Sequence, residues 1–73
     1  MPLTLHAELS ANVWKILVEP GDPVTPDEPL MILESMKMEI PVVSDEGGTL
    51  VRVHVSEGEN VNPGQPLLDI ALD

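Results

Sequence analysis

Seventy-three residues make room for one small domain, expected to span 1–73. Such a chain buries only ~60% of the surface its unfolded form exposes, so its loops must be tight. Thirteen acidic residues against three basic ones give a formal charge of −10, which argues against binding to nucleic acid or an anionic membrane, since a phosphate-contacting surface needs clustered Lys and Arg. The absence of cysteine excludes disulfide scaffolds, zinc ribbons and thiol nucleophiles.

No apolar run reaches the length of a membrane span, and no basic-then-apolar leader is expected. The 42% hydrophobic content is that of a folding chain, so a soluble, cytoplasmic monomer is expected. The apolar stock is Val, Leu, Ile and Met with a single aromatic, Trp14, and eight prolines and five glycines divide it into short runs. That is the composition of a small all-β fold.

In chain order, Leu3–Glu8 reads as a first strand. Val13–Val18 alternates with Trp14, Ile16 and Val18 on one face and Lys15 toward solvent, the pattern of a half-buried strand. Gly21 then marks a turn that needs φ > 0. A short extended piece around Val24 leads into the Pro26–Pro29 turn and a strand over Leu30–Ser35. Met38–Val43 is the return strand, and Asp45-Glu46-Gly47-Gly48 is the plainest turn in the chain.

Gly58 lies 37 residues after Gly21, and at that offset the second half repeats the first. Lys15 meets Arg52, Val18 meets Val55, Asp22 meets Glu59 and Val24 meets Val61. Pro26 meets Pro63, Pro29 meets Pro66 and Leu30 meets Leu67. The match covers Val13–Ser35 against Leu50–Leu72. It assigns Val51, Val53 and Val55 to one face, with Arg52 and His54 toward solvent. Met31 and Leu33 correspond to Leu68 and Ile70, with Leu72 on the same side and Asp69 on the hydrated one.

Local propensity favours a helix over Leu30–Ile40, since Leu, Met, Glu and Lys are good formers and Pro29 and Pro41 bracket them. The repeat argues otherwise, because Leu30–Ser35 aligns with Leu67–Leu72, where no long helix fits. Two strands require a reversal at Met36-Lys37. Two-residue hairpins favour Asn-Gly or Asp-Gly, whose residues tolerate φ > 0, and Met-Lys supplies neither. Broken local rules point to function. Lys37 is therefore expected at the tip of a tight turn.

Glu34-Ser35-Met36-Lys37-Met38-Glu39 resembles the attachment sequence of biotinyl domains, which read Ala-Met-Lys-Met or Ser-Met-Lys-Met. The resemblance covers nearly the whole chain. Val18-Glu19-Pro20-Gly21-Asp22 and Val55-Ser56-Glu57-Gly58-Glu59 match the family's paired Gly-acidic turns, and Gly64-Gln65-Pro66-Leu67 matches its last turn. Related lipoyl domains carry Asp-Lys-Ala at this place, so the flanking methionines point to biotin. Many members open the first repeat with Pro-Met-Pro-Gly, where this chain has Glu8-Leu9-Ser10-Ala11-Asn12. Asn12 is expected to stand in for the turn glycine in a left-handed conformation. The chain resembles the short, standalone biotin carboxyl carriers that lack a protruding loop.

The resemblance implies a flattened sandwich of two four-stranded antiparallel sheets with quasi-twofold symmetry, the chain termini lying at the end opposite Lys37. It also implies that the domain is a covalent cofactor carrier rather than an enzyme. A biotin protein ligase would activate biotin as an acyl-adenylate, and the Lys37 amine would attack it, removing one positive charge. Biotin would then carry carboxylate between biotin carboxylase and carboxyltransferase partners. Because a lysine is protonated at neutral pH, the ligase must supply the base or the desolvation.

Met36 and Met38 would contact ligase and cofactor, or fill gaps in the core. Glu34, Ser35 and Glu39 would serve ligase recognition, the two glutamates otherwise being solvated strand residues. His6 and His54 stand apart without matching ligands, and no metal site is expected. Ser35 beside Lys37 lacks the scaffold of a nucleophilic pair. Two alternatives remain open on the residues alone: a lipoyl carrier of a 2-oxoacid dehydrogenase, and an unmodified acidic adaptor.

Overall fold

The computed structural model describes residues 2–73. Eight strands run β1 (Pro2–His6), β2 (Ala11–Ile16), β3 (Pro23–Val24), β4 (Met31–Ser35), β5 (Met38–Val42), β6 (Gly48–Val53), β7 (Asn60–Val61) and β8 (Pro66–Leu72). They form two four-stranded antiparallel sheets, ordered β1-β8-β6-β3 and β5-β4-β2-β7. Leu30–Ser35 is thus extended as the repeat requires, and the helical propensity of this segment is overridden. The two sheets enclose one core, in which Val13, Leu30, Met31, Leu67, Leu68 and Ile70 are wholly removed from solvent. Burying each such side chain stabilises the fold by about 1.5–3 kcal/mol relative to leaving it exposed.

The repeat extends further than the sequence match. The 37-residue offset carries β2 onto β6 and β3 onto β7 without slippage, and lays β1 over β5 within one residue. Hydrogen bonds between the loops follow the same rule. Gly21 N donates to Leu50 O at 2.7 Å and Gly58 N to Val13 O at 2.7 Å. Leu17 N donates to Leu30 O at 3.0 Å and His54 N to Leu67 O at 2.8 Å. Gly21 and Gly58 have φ of 98° and 90°, as the turns require. A second left-handed pair, Asp27 and Gly64, ends the Pro-rich turns.

Three expectations need correction. Trp14 and Val51 are not on the buried face: they are 44% and 53% exposed, while Val13 and Leu50 fill the core. Both strands slip register at these repeat mates, β2 between Val13 and Lys15 and β6 between Leu50 and Arg52. An extra residue in each strand resets the alternation, so that Ile16, Val18, Val53 and Val55 still pack inward. Trp14 keeps partial cover from Lys15, whose Nζ lies 5.7 Å from the ring centroid.

Secondly, Asn12 is not left-handed; it lies within β2. Thirdly, the turn before β6 is shorter than expected, because Gly48 is already a buried strand residue. A Cβ there would overlap the Ala71 carbonyl, so the adjacent strand needs a residue without a side chain. Buried Ser44 holds the turn, donating from Oγ to Glu46 O at 2.7 Å and accepting from Glu46 N at 3.1 Å.

The prolines are placed where they cost no ladder bond. Pro2 and Pro41 lie on the edge strands β1 and β5, Pro23 on edge strand β3, and Pro66 begins β8.

Asp69, expected to be merely hydrated, is tied to both neighbouring chain segments. Its carboxylate accepts from Thr4 Oγ1 at 2.8 Å and pairs with His54 Nε2 at 2.9 Å. The hydrogen bond from His54, then that from Thr4, lowers its pKa below the ordinary carboxylate value.

Two outcomes follow from this packing. Gly48→Ala is expected to lower unfolding free energy by about 1–3 kcal/mol in urea denaturation, through forced displacement of β8. Because the folded-state pKa of Asp69 is depressed, its contribution is present above the ordinary carboxylate range and disappears as pH falls through the lowered value. The stability gap between the native chain and Asp69→Asn should therefore be widest near neutrality and close in acid, as read from denaturation midpoints across pH.

Candidate functional site

β4 and β5 pair in continuous register: Met31 with Val42, Ile32 with Pro41, Leu33 with Ile40, Glu34 with Glu39 and Ser35 with Met38. Only Met36 and Lys37 remain to reverse the chain. Their φ values are 52° and 66°, so both central residues are left-handed, the backbone that twist-matched two-residue hairpins demand. Neither is a residue that adopts this conformation cheaply; the cost is roughly 1–2 kcal/mol each. The strain is held by the strands beneath, where Met31 and Leu33 are buried and Ile40 and Val42 pack against the core. Ser35 secures the base of the turn, donating from Oγ to Ser10 O at 3.0 Å.

The result is a projecting tip. Met36 is 92% exposed and Met38 65%, so neither fills a gap in the core. Lys37 is exposed between them, with no salt bridge to any carboxylate among the described residues. Glu34 and Glu39 are exposed and directly opposite one another in the ladder, an unfavourable like-charge pairing that the solvent must screen. All six residues singled out in the sequence, Glu34 to Glu39, are therefore brought together on one hairpin.

The first and last described residues lie away from this tip. β1 begins at Pro2, paired with Ala71, and runs toward the Glu8–Ser10 connection that meets Ser35. Asp73 N donates to Gly47 O at 3.3 Å, closing the other end. The two ends are exchanged by the pseudo-twofold of a body 34 × 18 × 18 Å across its principal axes.

His6 and His54 remain apart; His6 is an exposed β1 residue, and His54 serves Asp69. Among the described residues, no group of three or more His, Asp or Glu side chains could hold a metal ion. Sequence reasoning missed a polar cleft beside the tip. It is lined by Ser10, Asn12, Asn60 and Asn62 together with Ser35 and Met36. A signal was present, because all three asparagines of the chain converge there, but nothing local marks them as neighbours.

Lys37 is thus held out on a strained hairpin of a quasi-symmetric double-sheet sandwich. A family model described as "Biotin-requiring enzyme", the biotin/lipoyl family, matches residues 4–70, and the chain belongs to that family. It is 46% identical over 68 residues to the biotin carboxyl carrier protein of Streptococcus mutans, covering 93% of this chain and 52% of that protein. The chain thus spans about half the length of that relative. With the biotin/lipoyl attachment protein of Bacillus subtilis it shares 41% identity over 69 residues, 94% of each. Among solved structures, a single-chain, multi-domain long-chain acyl-CoA carboxylase superposes with a TM-score of 0.92 at 29% identity. That match covers 99% of this chain and 7% of the larger one.

Replacing Met36 by Asn, which tolerates the left-handed region, is expected to raise stability by roughly 0.5–1 kcal/mol in chemical denaturation. An unchanged or lowered midpoint would show that the turn is not strained.

Proposed function

We propose that this domain is a non-catalytic carrier of covalent biotin, attached as an amide to Nζ of Lys37. The observation that carries the reading is the two-residue turn, in which Met36 and Lys37 both hold φ > 0 and the lysine stands clear of the globule. An amine so displayed suits an enzyme that must enclose it, and its reversal is stiff enough to present one geometry repeatedly. The names of the curated relatives, one a biotin carboxyl carrier protein, support biotin as the group.

The residues fit that group. Lys37 supplies a primary amine without a competing partner among the described residues, and the exposed thioethers of Met36 and Met38 offer soft apolar contacts on either side. Glu34, Ser35 and Glu39 complete a short recognition surface for a biotin protein ligase. When bound, biotin supplies a ring nitrogen able to accept and release carboxylate.

The chain's own part is to hold the tether's root on a registered hairpin, away from Pro2 and Asp73. In this reading the domain serves biotin carboxylase and carboxyltransferase partners in turn. Tethering converts each delivery into an intramolecular event at millimolar effective concentration, as an order of magnitude. The formal charge of −10 favours docking on basic partner surfaces.

Intact mass after incubation with a biotin protein ligase, ATP and biotin tests the assignment. One biotinyl increment is expected on the native chain and none on Lys37→Arg, whose guanidinium is not a usable nucleophile at neutral pH. The arginine variant should keep the native denaturation midpoint, since its side chain is exposed. Labelling of Lys37→Arg would move the site elsewhere, and a lipoyl increment in a parallel incubation with lipoate ligase, ATP and lipoate, with none from biotin, would assign the other cofactor.

A further inference from the structure

The polar cleft next to the hairpin has a volume of about 440 Å³. Asn12 and Asn60 face each other there across β2 and β7. Asn12 Nδ2 donates both its hydrogens, to Gly58 O at 2.9 Å and to Asn60 Oδ1 at 3.0 Å. The carbonyl of Gly58 can only accept, so it orients the Asn12 amide, and that amide in turn orients Asn60. What remains on this pair is an acceptor, Asn12 Oδ1, and a donor, Asn60 Nδ2, neither with a partner among the described residues. Glu34 is the only carboxylate lining the cleft, in a chain with thirteen.

The repeat provides an internal control. At the 37-residue offset Asn12 corresponds to Thr49, Asn60 to Pro23 and Asn62 to Thr25. The equivalent end is also closed. A Cβ on Gly47 would lie 3.3 Å from Val24 O, and one on Gly48 would overlap the Ala71 carbonyl. The sandwich therefore needs neither the asparagines nor the opening. The asparagines are found only in the strands and loops at the end that carries Lys37.

We infer that this cleft is a resting site for the head of the group tethered to Lys37, and that it selects a neutral cyclic urea. The inference rests on the attachment reading above. Asn12 Oδ1 accepts from a ring N–H, Asn60 Nδ2 donates to the ring carbonyl, and the Met36 side chain at the cleft's rim covers the apolar side. Uncharged amides match an uncharged ring that, like the pair, offers both a donor and an acceptor. A dithiolane ring presents neither N–H nor carbonyl, so the same cleft gives a lipoyl group nothing to pair with. Because the cleft is open, docking is reversible and leaves the ring available to partners.

The test compares side-chain amide NMR spectra of the unmodified chain with those of the ligase-modified chain, whose loading is verified by intact mass. Attachment is expected to shift the side-chain resonances of Asn12 and Asn60 and to slow solvent exchange of the ring N–H groups relative to free biotin amide. Asn60→Asp keeps an acceptor toward Asn12 but removes the outward donor, and in it the Asn12 shift and the slowed ring exchange should both be lost. A loaded native chain whose Asn12 and Asn60 amides do not move overturns the docking site and leaves attachment intact, a result that needs no variant. Shifts that persist in Asn60→Asp overturn the assigned pairing. A native chain that gains no biotinyl mass overturns the attachment reading and this inference with it.

Discussion

Two consecutive residues in left-handed backbone conformation, Met36 at φ 52° and Lys37 at φ 66°, are the constraint on which the site depends. With glycine and asparagine at these positions the turn would form at little cost and present no amine. With Met-Lys it must be imposed, and β4 and β5 impose it through five consecutive registered pairs. Strain at the tip is offset by burial at the base, where Met31 and Leu33 lie between the sheets. The amine is thus held out by the same strands that close the core.

The duplicated architecture explains how so small a chain supports this. Each half places its Gly turn against the other half's strand, Gly21 on Leu50 and Gly58 on Val13, so neither half is complete without its mate. Register slips at Trp14 and Val51 occur at equivalent points and return Ile16 and Val53 to the core side of both strands. Symmetry then identifies what is not structural. Features shared by the two ends belong to the fold; the Met-Lys reversal and the asparagine cleft are found at one end only.

Charge is arranged in keeping with a carrier. Thirteen carboxylates keep the surface hydrated, and only two lysines and one arginine oppose them. Lys15 lies over Trp14, and Arg52 stands beside Asp69 in the ladder. Lys37 alone projects from a turn among exposed neighbours. What sets Lys37 apart from the other basic residues is presentation by the backbone.

The all-β class, the two related halves, the left-handed glycines and the displayed lysine were legible in the residues, because they rest on local rules: alternation of period two, glycine where φ is positive, and a repeated spacing. Even the helix-favouring composition of Leu30–Ile40 yielded to the repeat. The burial of Val13 and Leu50 in place of Trp14 and Val51 was not legible, since a bulge is set by the partner strand and leaves no mark of its own. Asn12 could not be placed for the same reason: its role comes from Gly58 and Asn60, residues far along the chain that only sheet pairing brings within 3.0 Å. The sequence by itself determined the strands and which amine they display. The tertiary structure decided what lies beside that amine, because a cleft is made by the meeting of segments and belongs to none of them alone.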